Sequence, residues 1–191
     1  IQDNKKQFHF MYILPLNKKK IFVESTYFSE KIFKKDKYKK DLNKYLSNKF
    51  NGKKYKINFN EFGIIPMFKV QKVNSKNHVK IGTAGNWIRQ STGYSLQNAF
   101  EYSGQIVDCI LKNKIPEIKK NFFTNFLDET FCIFVKNNPQ NTHLFFKRFY
   151  KENKLINIVN FLTNKANIIE LLKIIISLPK LELIKTVLKR K

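Results

Sequence analysis

Apolar positions along the chain fall into two regimes. Phe8–Leu14 is a dense apolar and aromatic run closed by Pro15, which predicts a buried strand. The polar stretch Asn17–Lys20 predicts a turn and Ile21–Thr26 a second strand, so the two runs are expected to form a hairpin. Ser29 is placed to cap a helix beginning near Glu30. Ile32, Phe33, Tyr38, Leu42, Tyr45, Leu46 and Phe50 then recur at roughly helical spacing until Asn51-Gly52 stops them. Lys54–Glu61 alternates, with Tyr55, Ile57 and Phe59 on one face, and predicts a strand. Gly63–Phe68 is a short apolar run interrupted by Pro66, Asn74–Asn77 a turn, and His78–Thr83 a further strand. Beyond Gly85 the period lengthens. Thr92–Leu111 reads as one long helix, followed by helices over Phe122–Val135, Thr142–Tyr150, Leu155–Leu162, Asn167–Leu178 and Leu181–Leu188, with wide apolar stripes. The expected class is α+β, with residues 1–85 a β-rich part holding one long helix and 86–191 a loop and helical region. No internal repeat is visible.

The 191 residues carry 37 Lys+Arg against 14 Asp+Glu, a net charge of +23. Such an excess fits nucleic acid, an anionic membrane surface, or plain compositional bias. The lysines are spread along the chain and arginine, the better fork for phosphate and bases, is scarce, which weighs against nucleic acid. Cys109 and Cys132 sit in apolar helical patterns without C-x-x-C spacing, and His9, His78 and His143 are isolated, so no metal site is expected. No apolar run reaches a membrane span, since Asn167–Leu178 is short and holds Glu170 and Lys173. No signal peptide is visible, and a chain opening on Ile1 is expected to be a fragment.

Three segments carry candidate chemistry. Glu24 interrupts the apolar strand and shares a face with Phe22 and Thr26. A carboxyl group in apolar surroundings holds its proton more tightly and can deliver it, although on spacing alone an edge-strand glutamate facing water is the commoner case. Glu61-Phe62-Gly63-Ile64-Ile65-Pro66 sets a second acid at a strand break, where a surface carboxylate before a bend is again the commoner reading. Ile81-Gly82-Thr83-Ala84-Gly85, then Ser91-Thr92-Gly93-Tyr94-Ser95 and a helix, combines small residues with free helix N–H groups, a geometry that suits phosphate or another electron-rich group.

FVEST (Phe22–Thr26), EFGIIP (Glu61–Pro66) and IGTAGNWIRQSTGYS (Ile81–Ser95) resemble lycopene cyclases in order and rough spacing. The tail, with FFTNF (Phe122–Phe126), FFKRF (Phe145–Phe149) and IIISLP (Ile174–Pro179), is similar to theirs as well, so the likeness covers nearly the whole chain. The resemblance implies the C-terminal part of an FAD/NAD(P)-binding flavoprotein fold, with antiparallel substrate-domain strands, a flavin-contacting loop and a helical tail. It implies FAD as cofactor, NAD(P)H as its reductant, and cyclisation of a linear carotenoid such as lycopene without net redox change. A substrate that dissolves in lipid, together with the Ile- and Leu-rich helices from Asn167 to Arg190 carrying Lys173, Lys180, Lys185, Lys189 and Arg190, leads to the expectation of a cytoplasmic protein associated peripherally with an anionic membrane, and nucleic acid is not expected as a partner. Glu24 matches the leading acid of the family's strand motif, and Glu61 is the second acid/base candidate. Many relatives carry another acid directly after the first, where this chain has Ser25. The family's flavin contacts map onto Gly82, Ala84, Gly85, Thr92, Gly93 and Tyr94, with Gln90 where some relatives have Pro. The six glycines, Gly52, Gly63, Gly82, Gly85, Gly93 and Gly104, contain no G-x-G-x-x-G, so the main dinucleotide site is expected to lie in an N-terminal half that this chain lacks. Another polyisoprenoid reductase or monooxygenase of the same superfamily, and a basic nucleic-acid- or membrane-binding module, are the alternatives.

Overall fold

A computed structural model of the chain describes residues 7–70, 75 and 78–188. The turn expected at Asn74–Asn77, apart from Ser75, and the cations Lys189 and Arg190 lie outside the described residues. The expected α+β composition is present: a two-stranded antiparallel sheet and one helix, followed by a series of helices.

The hairpin forms as the pattern predicts but is longer. β1 spans Phe8–Asn17 and β2 Lys20–Phe28, with Phe8 opposite Phe28, Tyr12 opposite Glu24 and Asn17 opposite Lys20. Pro15 does not end β1; it sits opposite Ile21, where the register shifts. A two-stranded ribbon consists of edges, so a residue without an N–H is tolerated there. The Asn17 side chain accepts the Lys19 N–H at 2.9 Å and shapes the turn.

Helix α1 is Lys35–Lys49, beginning five residues later than expected. Ser29 does not cap it; its hydroxyl accepts the Lys31 N–H at 3.1 Å within a turn of its own. Lys34 is the extended residue before the helix, and Asp36 supplies negative charge to the first turn. Gly52, at φ 74°, turns the chain away after Phe50, as the Asn51-Gly52 signal predicts.

The strands expected over Lys54–Glu61 and His78–Thr83 are absent. The first segment is irregular, with Tyr55, Ile57 and Phe59 exposed, and the second contributes only His78 to an isolated bridge with Ser75. Alternation marks a chain able to lie in a sheet, but a strand also needs a hydrogen-bonded neighbour, and β1–β2 is the only sheet among the described residues.

The helices follow as α2 (Leu96–Leu111), α3 (Phe122–Asn137), α4 (Thr142–Glu152), α5 (Leu155–Leu162), α6 (Ile168–Ser177) and α7 (Lys180–Leu188), with a single 3₁₀ turn at Pro139–Asn141 before α4. The Asn121 side chain takes the Thr124 N–H at 3.0 Å at the start of α3. Asn167 and Glu170 form a reciprocal capping box on α6, both bonds 2.9 Å. The backbone bond from Asn167, reinforced by the Asn160 amide, holds the Glu170 carboxyl below its usual range.

The chain packs as two compact units. One takes in the chain up to Gly63 together with Val135–Phe146; the other takes in Ile64–Phe134 and the chain from Lys147 onward. In the first, Phe8 stacks against Phe10, Phe28 and Phe146 at 5.4–6.0 Å on one face of the hairpin. On the opposite face the His9 ring lies 4.0 Å from that of Tyr27 and its Nε2 is 2.9 Å from the Ser25 hydroxyl. The Tyr27 hydroxyl donates to Asp41 of α1 at 2.5 Å, and Lys37 donates to the same carboxylate oxygen at 2.9 Å. In the second unit Phe131, Phe134, Phe149, Ile158, Ile174 and Leu178 are buried, each side chain contributing about 1.5–3 kcal/mol on leaving water.

His9 is 2% exposed and its Nδ1 has no hydrogen-bond partner. Burial pushes the imidazole below its ordinary 6.5, with the Asp41 charge opposing this and the Lys37 charge adding to it. The folded chain therefore binds the proton less readily than the unfolded chain. The contribution is intact above about 6.5 and is lost as the pH falls from there toward the folded value. Burial works to raise the Asp41 carboxyl, but bonds from Tyr27 and Lys37 outweigh it and hold the group low, so Asp41 stays charged across this window. Urea-unfolding midpoints should fall between about pH 7 and about pH 5, and His9→Gln should flatten that dependence.

Candidate functional site

The two acids singled out from the sequence lie in the hairpin unit. Glu24 is on β2, and strand alternation with the observed register gives its face Phe10, Tyr12 and Leu14 from β1 and Phe22, Thr26 and Phe28 from β2. The Thr26 hydroxyl donates to Glu24 Oε1 at 2.5 Å and fixes one carboxylate oxygen. The apolar neighbours expected around Glu24 are thus on its face, but the residue is exposed, because the buried part of that face lies at the Phe8–Phe28 end of the ribbon. Glu61 is also exposed, in the irregular segment that follows α1, and the Phe62 ring beside it meets the Tyr38 ring edge-on at 5.3 Å.

The small-residue loop lies in the other unit and is tightly built. Gly85 N–H donates to the Ile81 and Gly82 carbonyls at 3.0 and 3.1 Å, and Trp87 N–H to Gly82 at 2.9 Å. The Asn86 side chain pairs with both backbone groups of Val70, accepting its N–H at 2.6 Å and donating to its carbonyl at 2.7 Å. The Asn98 amide of α2 donates to the Trp87 carbonyl at 2.6 Å and accepts from Asn164 at 3.1 Å. Residues 89–94 close a turn of their own, with Arg89 N–H on the Tyr94 carbonyl and Gly93 N–H on the Arg89 carbonyl, both 2.8 Å. That turn, with Gly93 at φ 72°, is why α2 begins at Leu96 and not at Thr92.

Beneath the loop is a buried ion pair that sequence reasoning missed. The Arg89 guanidinium, 3% exposed, donates to both Asp128 oxygens, from Nε at 3.2 Å and from NH2 at 2.7 Å. Its third arm reaches the Phe161 carbonyl at 2.7 Å, and its central carbon lies 4.7 Å from the centre of the Phe161 ring. The Ser91 hydroxyl completes the set with a 2.7 Å bond to Asp128. An arginine inside the most distinctive motif of a lysine-rich chain was the available signal, because bidentate pairing is what arginine does and lysine does not.

The glycines of the loop divide by what surrounds them. A Cβ on Gly85 would collide with the Lys80 carbonyl and come within 2.8 Å of Trp87 Nε1, so glycine there is required by the protein's own packing. Gly93 faces Ile65, at 3.1 Å from where its Cβ would be. Nothing lies within 4 Å at Gly82, and Ala84, Thr92 and Tyr94 are exposed. An electron-rich planar group therefore has open approach at Gly82, Ala84, Thr92 and Tyr94 and at the first turn of α2, whose N–H groups have no intrahelical acceptors. Cys132, by contrast, is a packing residue. Burial pushes its thiol up to about 12, with the Asp128 charge adding to this, and both cysteines are free.

The family described as lycopene cyclase protein matches residues 1–188. No curated protein and no solved structure matches the chain.

Removing the Asp128 carboxylate leaves Arg89 charged, buried and short of its acceptors. Asp128→Ala should destabilise the protein by about 3–5 kcal/mol in urea unfolding, and the paired change Arg89→Met with Asp128→Leu should recover most of that loss.

Proposed function

The chain belongs to the lycopene cyclase family, and we propose that within carotenoid cyclisation it closes β-ionone rings on the linear ends of lycopene by acid-initiated carbocation chemistry. The observation that carries this reading is the placement of Glu24, an acid with one oxygen held by Thr26, on a strand face otherwise made of Phe10, Tyr12, Leu14, Phe22 and Phe28. In this scheme the protonated Glu24 gives its proton to the terminal double bond. The bond's electron pair forms the new C–H bond and leaves a tertiary cation. A neighbouring double bond attacks that cation to form the ring C–C bond, and loss of a ring proton to a base restores neutrality. The sum is an isomerisation, with no oxidant or reductant consumed. Aromatic faces suit the cation by their negative quadrupole and by excluding water. Glu61 is the second acid/base candidate.

FAD is the proposed cofactor, kept reduced by NAD(P)H, and Gly82, Ala84, Thr92 and Tyr94 are the residues that would meet its ring system, with Gly85 and Gly93 shaping the loop that presents them. Reduced flavin, when bound, supplies an electron-rich ring able to stabilise positive charge.

The substrate is a long hydrocarbon that resides in lipid, so the reading places the enzyme at the cytoplasmic face of a membrane. Among the described residues no helix is long and apolar enough to cross a bilayer. What supports surface association is the outer side of α5–α7, where Leu155, Ile156, Ile168, Ile169, Leu172 and Leu181 are exposed among the exposed Lys154, Lys165, Lys173 and Lys180. Apolar side chains that enter the interface beside cations give an additive attraction, about 1 kcal/mol per cation at an anionic surface.

In lycopene-producing cells carrying the complete coding sequence, Glu24→Gln should leave flavin bound and cells red, with a rate loss on the order of a hundredfold to ten-thousandfold. Accumulation of cyclised carotenoid at the wild-type rate would remove Glu24 from the proton-donor role. In liposome flotation the enzyme should bind vesicles containing anionic lipid, weaken with added salt, and bind neutral vesicles poorly. Equal binding to both would assign the association to apolar insertion alone.

A further inference from the structure

The two candidate acids sit on parts of the chain with little support of their own. A two-stranded ribbon is marginal in isolation, and the segment around Glu61 has no regular structure. One helix touches both, besides the Phe146 ring that packs on the other face of the hairpin. Lys35, Tyr38 and Asp41 of α1 are spaced three residues apart along one side of the helix, and Lys37 reaches Asp41 one turn on, at 2.9 Å. From this side Asp41 takes the Tyr27 hydroxyl of β2 at 2.5 Å, and Lys37 lies 5.3 Å from the centre of the Tyr27 ring. Tyr27 is in turn enclosed by His9 stacked at 4.0 Å, Phe33 at 5.2 Å and Tyr38 edge-on at 5.4 Å. Tyr38 then meets Phe62, the residue next to Glu61, at 5.3 Å, and Lys35 lies 5.9 Å from the same ring.

The arrangement has a sidedness. Ser25 and Tyr27, the residues of β2 that are tied to His9 and Asp41, point away from the face of Glu24. Helix α1 therefore fixes the strand from behind, while the face bearing the acid meets Phe146 only at its Phe8–Phe28 end. Asp41 itself is 6% exposed, and a buried carboxylate in a helix contributes little net stability compared with a well-packed apolar residue. What it contributes is direction, because a Tyr hydroxyl sharing one oxygen with an ammonium group has a single favourable position.

We propose that α1 is a positioning bracket for both acids: Asp41 with Lys37 fixes Tyr27 behind Glu24, and Tyr38 fixes Phe62 beside Glu61. The proposal rests on the reading of Glu24 and Glu61 as the reacting acids. Tyr27, Tyr38 and Asp41 are positioning residues and touch no substrate in this scheme.

The test is steady-state cyclisation by the enzyme expressed from its complete coding sequence, with Tyr27→Phe, Tyr38→Ala and Tyr38→Phe compared alongside Glu24→Gln and Glu61→Gln. Displacing a reacting group by about an ångström costs up to about a hundredfold in rate. Tyr27→Phe keeps the ring and loses only the hydroxyl, and should lower kcat about tenfold or more with KM nearly unchanged. Tyr38→Ala should do the same, and Tyr38→Phe, which keeps the ring that meets Phe62, should restore most of the rate. If Tyr38→Ala fails to fold, the isosteric Tyr27→Phe carries the test alone. Wild-type kcat in Tyr27→Phe and Tyr38→Ala, while Glu24→Gln is inactive, overturns the bracket and leaves the acid assignment standing. A lower unfolding temperature with unchanged kcat does the same, since it marks a role in stability only. Full activity in both Glu24→Gln and Glu61→Gln removes the acid assignment and the bracket with it.

Discussion

The helical unit depends on one desolvated ion pair. Arg89 and Asp128 are 39 residues apart and each is 3% exposed, so their attraction acts with little screening, and their polar atoms have lost water. Such a pair is tolerated only with further hydrogen bonds, and here the Phe161 carbonyl supplies one to the guanidinium and the Ser91 hydroxyl one to the carboxylate. The consequence is geometric. A guanidinium bonded in two directions ties the start of the 89–94 turn to α3 and α5 together. Gly93, at positive φ, and Gly85, with no room for a Cβ, then let the backbone follow the path that this base dictates.

The same division of labour accounts for what the sequence made legible. The hairpin was readable because both runs are apolar and the Asn17–Lys20 turn between them is polar. Its length was not, since Pro15 forbids only an interior strand and this ribbon has none. The helical tail was readable from its long period, and the capping box on α6 confirms the start at Asn167. The alternation of Lys54–Glu61 misled because it reports what a segment could bury, whereas a strand requires a partner that the sequence does not reveal. The helix start at Lys35 was missed because Ser29 has the chemistry of a cap but uses it in an earlier turn. In the loop, the small residues were legible. Their foundation was not, because Asp128 lies in a helix among ordinary polar positions and only the fold brings it to Arg89.

Charge is partitioned differently in the two units. In the hairpin unit the buried carboxylate Asp41 is met by a lysine that is itself partly in water and by a tyrosine hydroxyl. In the helical unit the partner of Asp128 is an arginine, permanently charged and enclosed.

The absence of a second acid after Glu24 has a simple consequence in this geometry. Adjacent residues of a strand point to opposite faces, so a carboxylate at position 25 would not share the face of Glu24. It would stand where the Ser25 hydroxyl now meets His9 Nε2 at 2.9 Å, behind the strand and next to the Tyr27–Asp41 chain. There it would bring a second negative charge close to Asp41 and favour the protonated form of His9. Serine instead meets one imidazole nitrogen with a neutral group, and burial of that ring favours its uncharged form. Adjacent acids on one extended strand therefore leave it on opposite faces. In this chain the face toward Phe10, Tyr12 and Phe22 retains its single carboxylate, and the change to serine alters only the polar chain behind it.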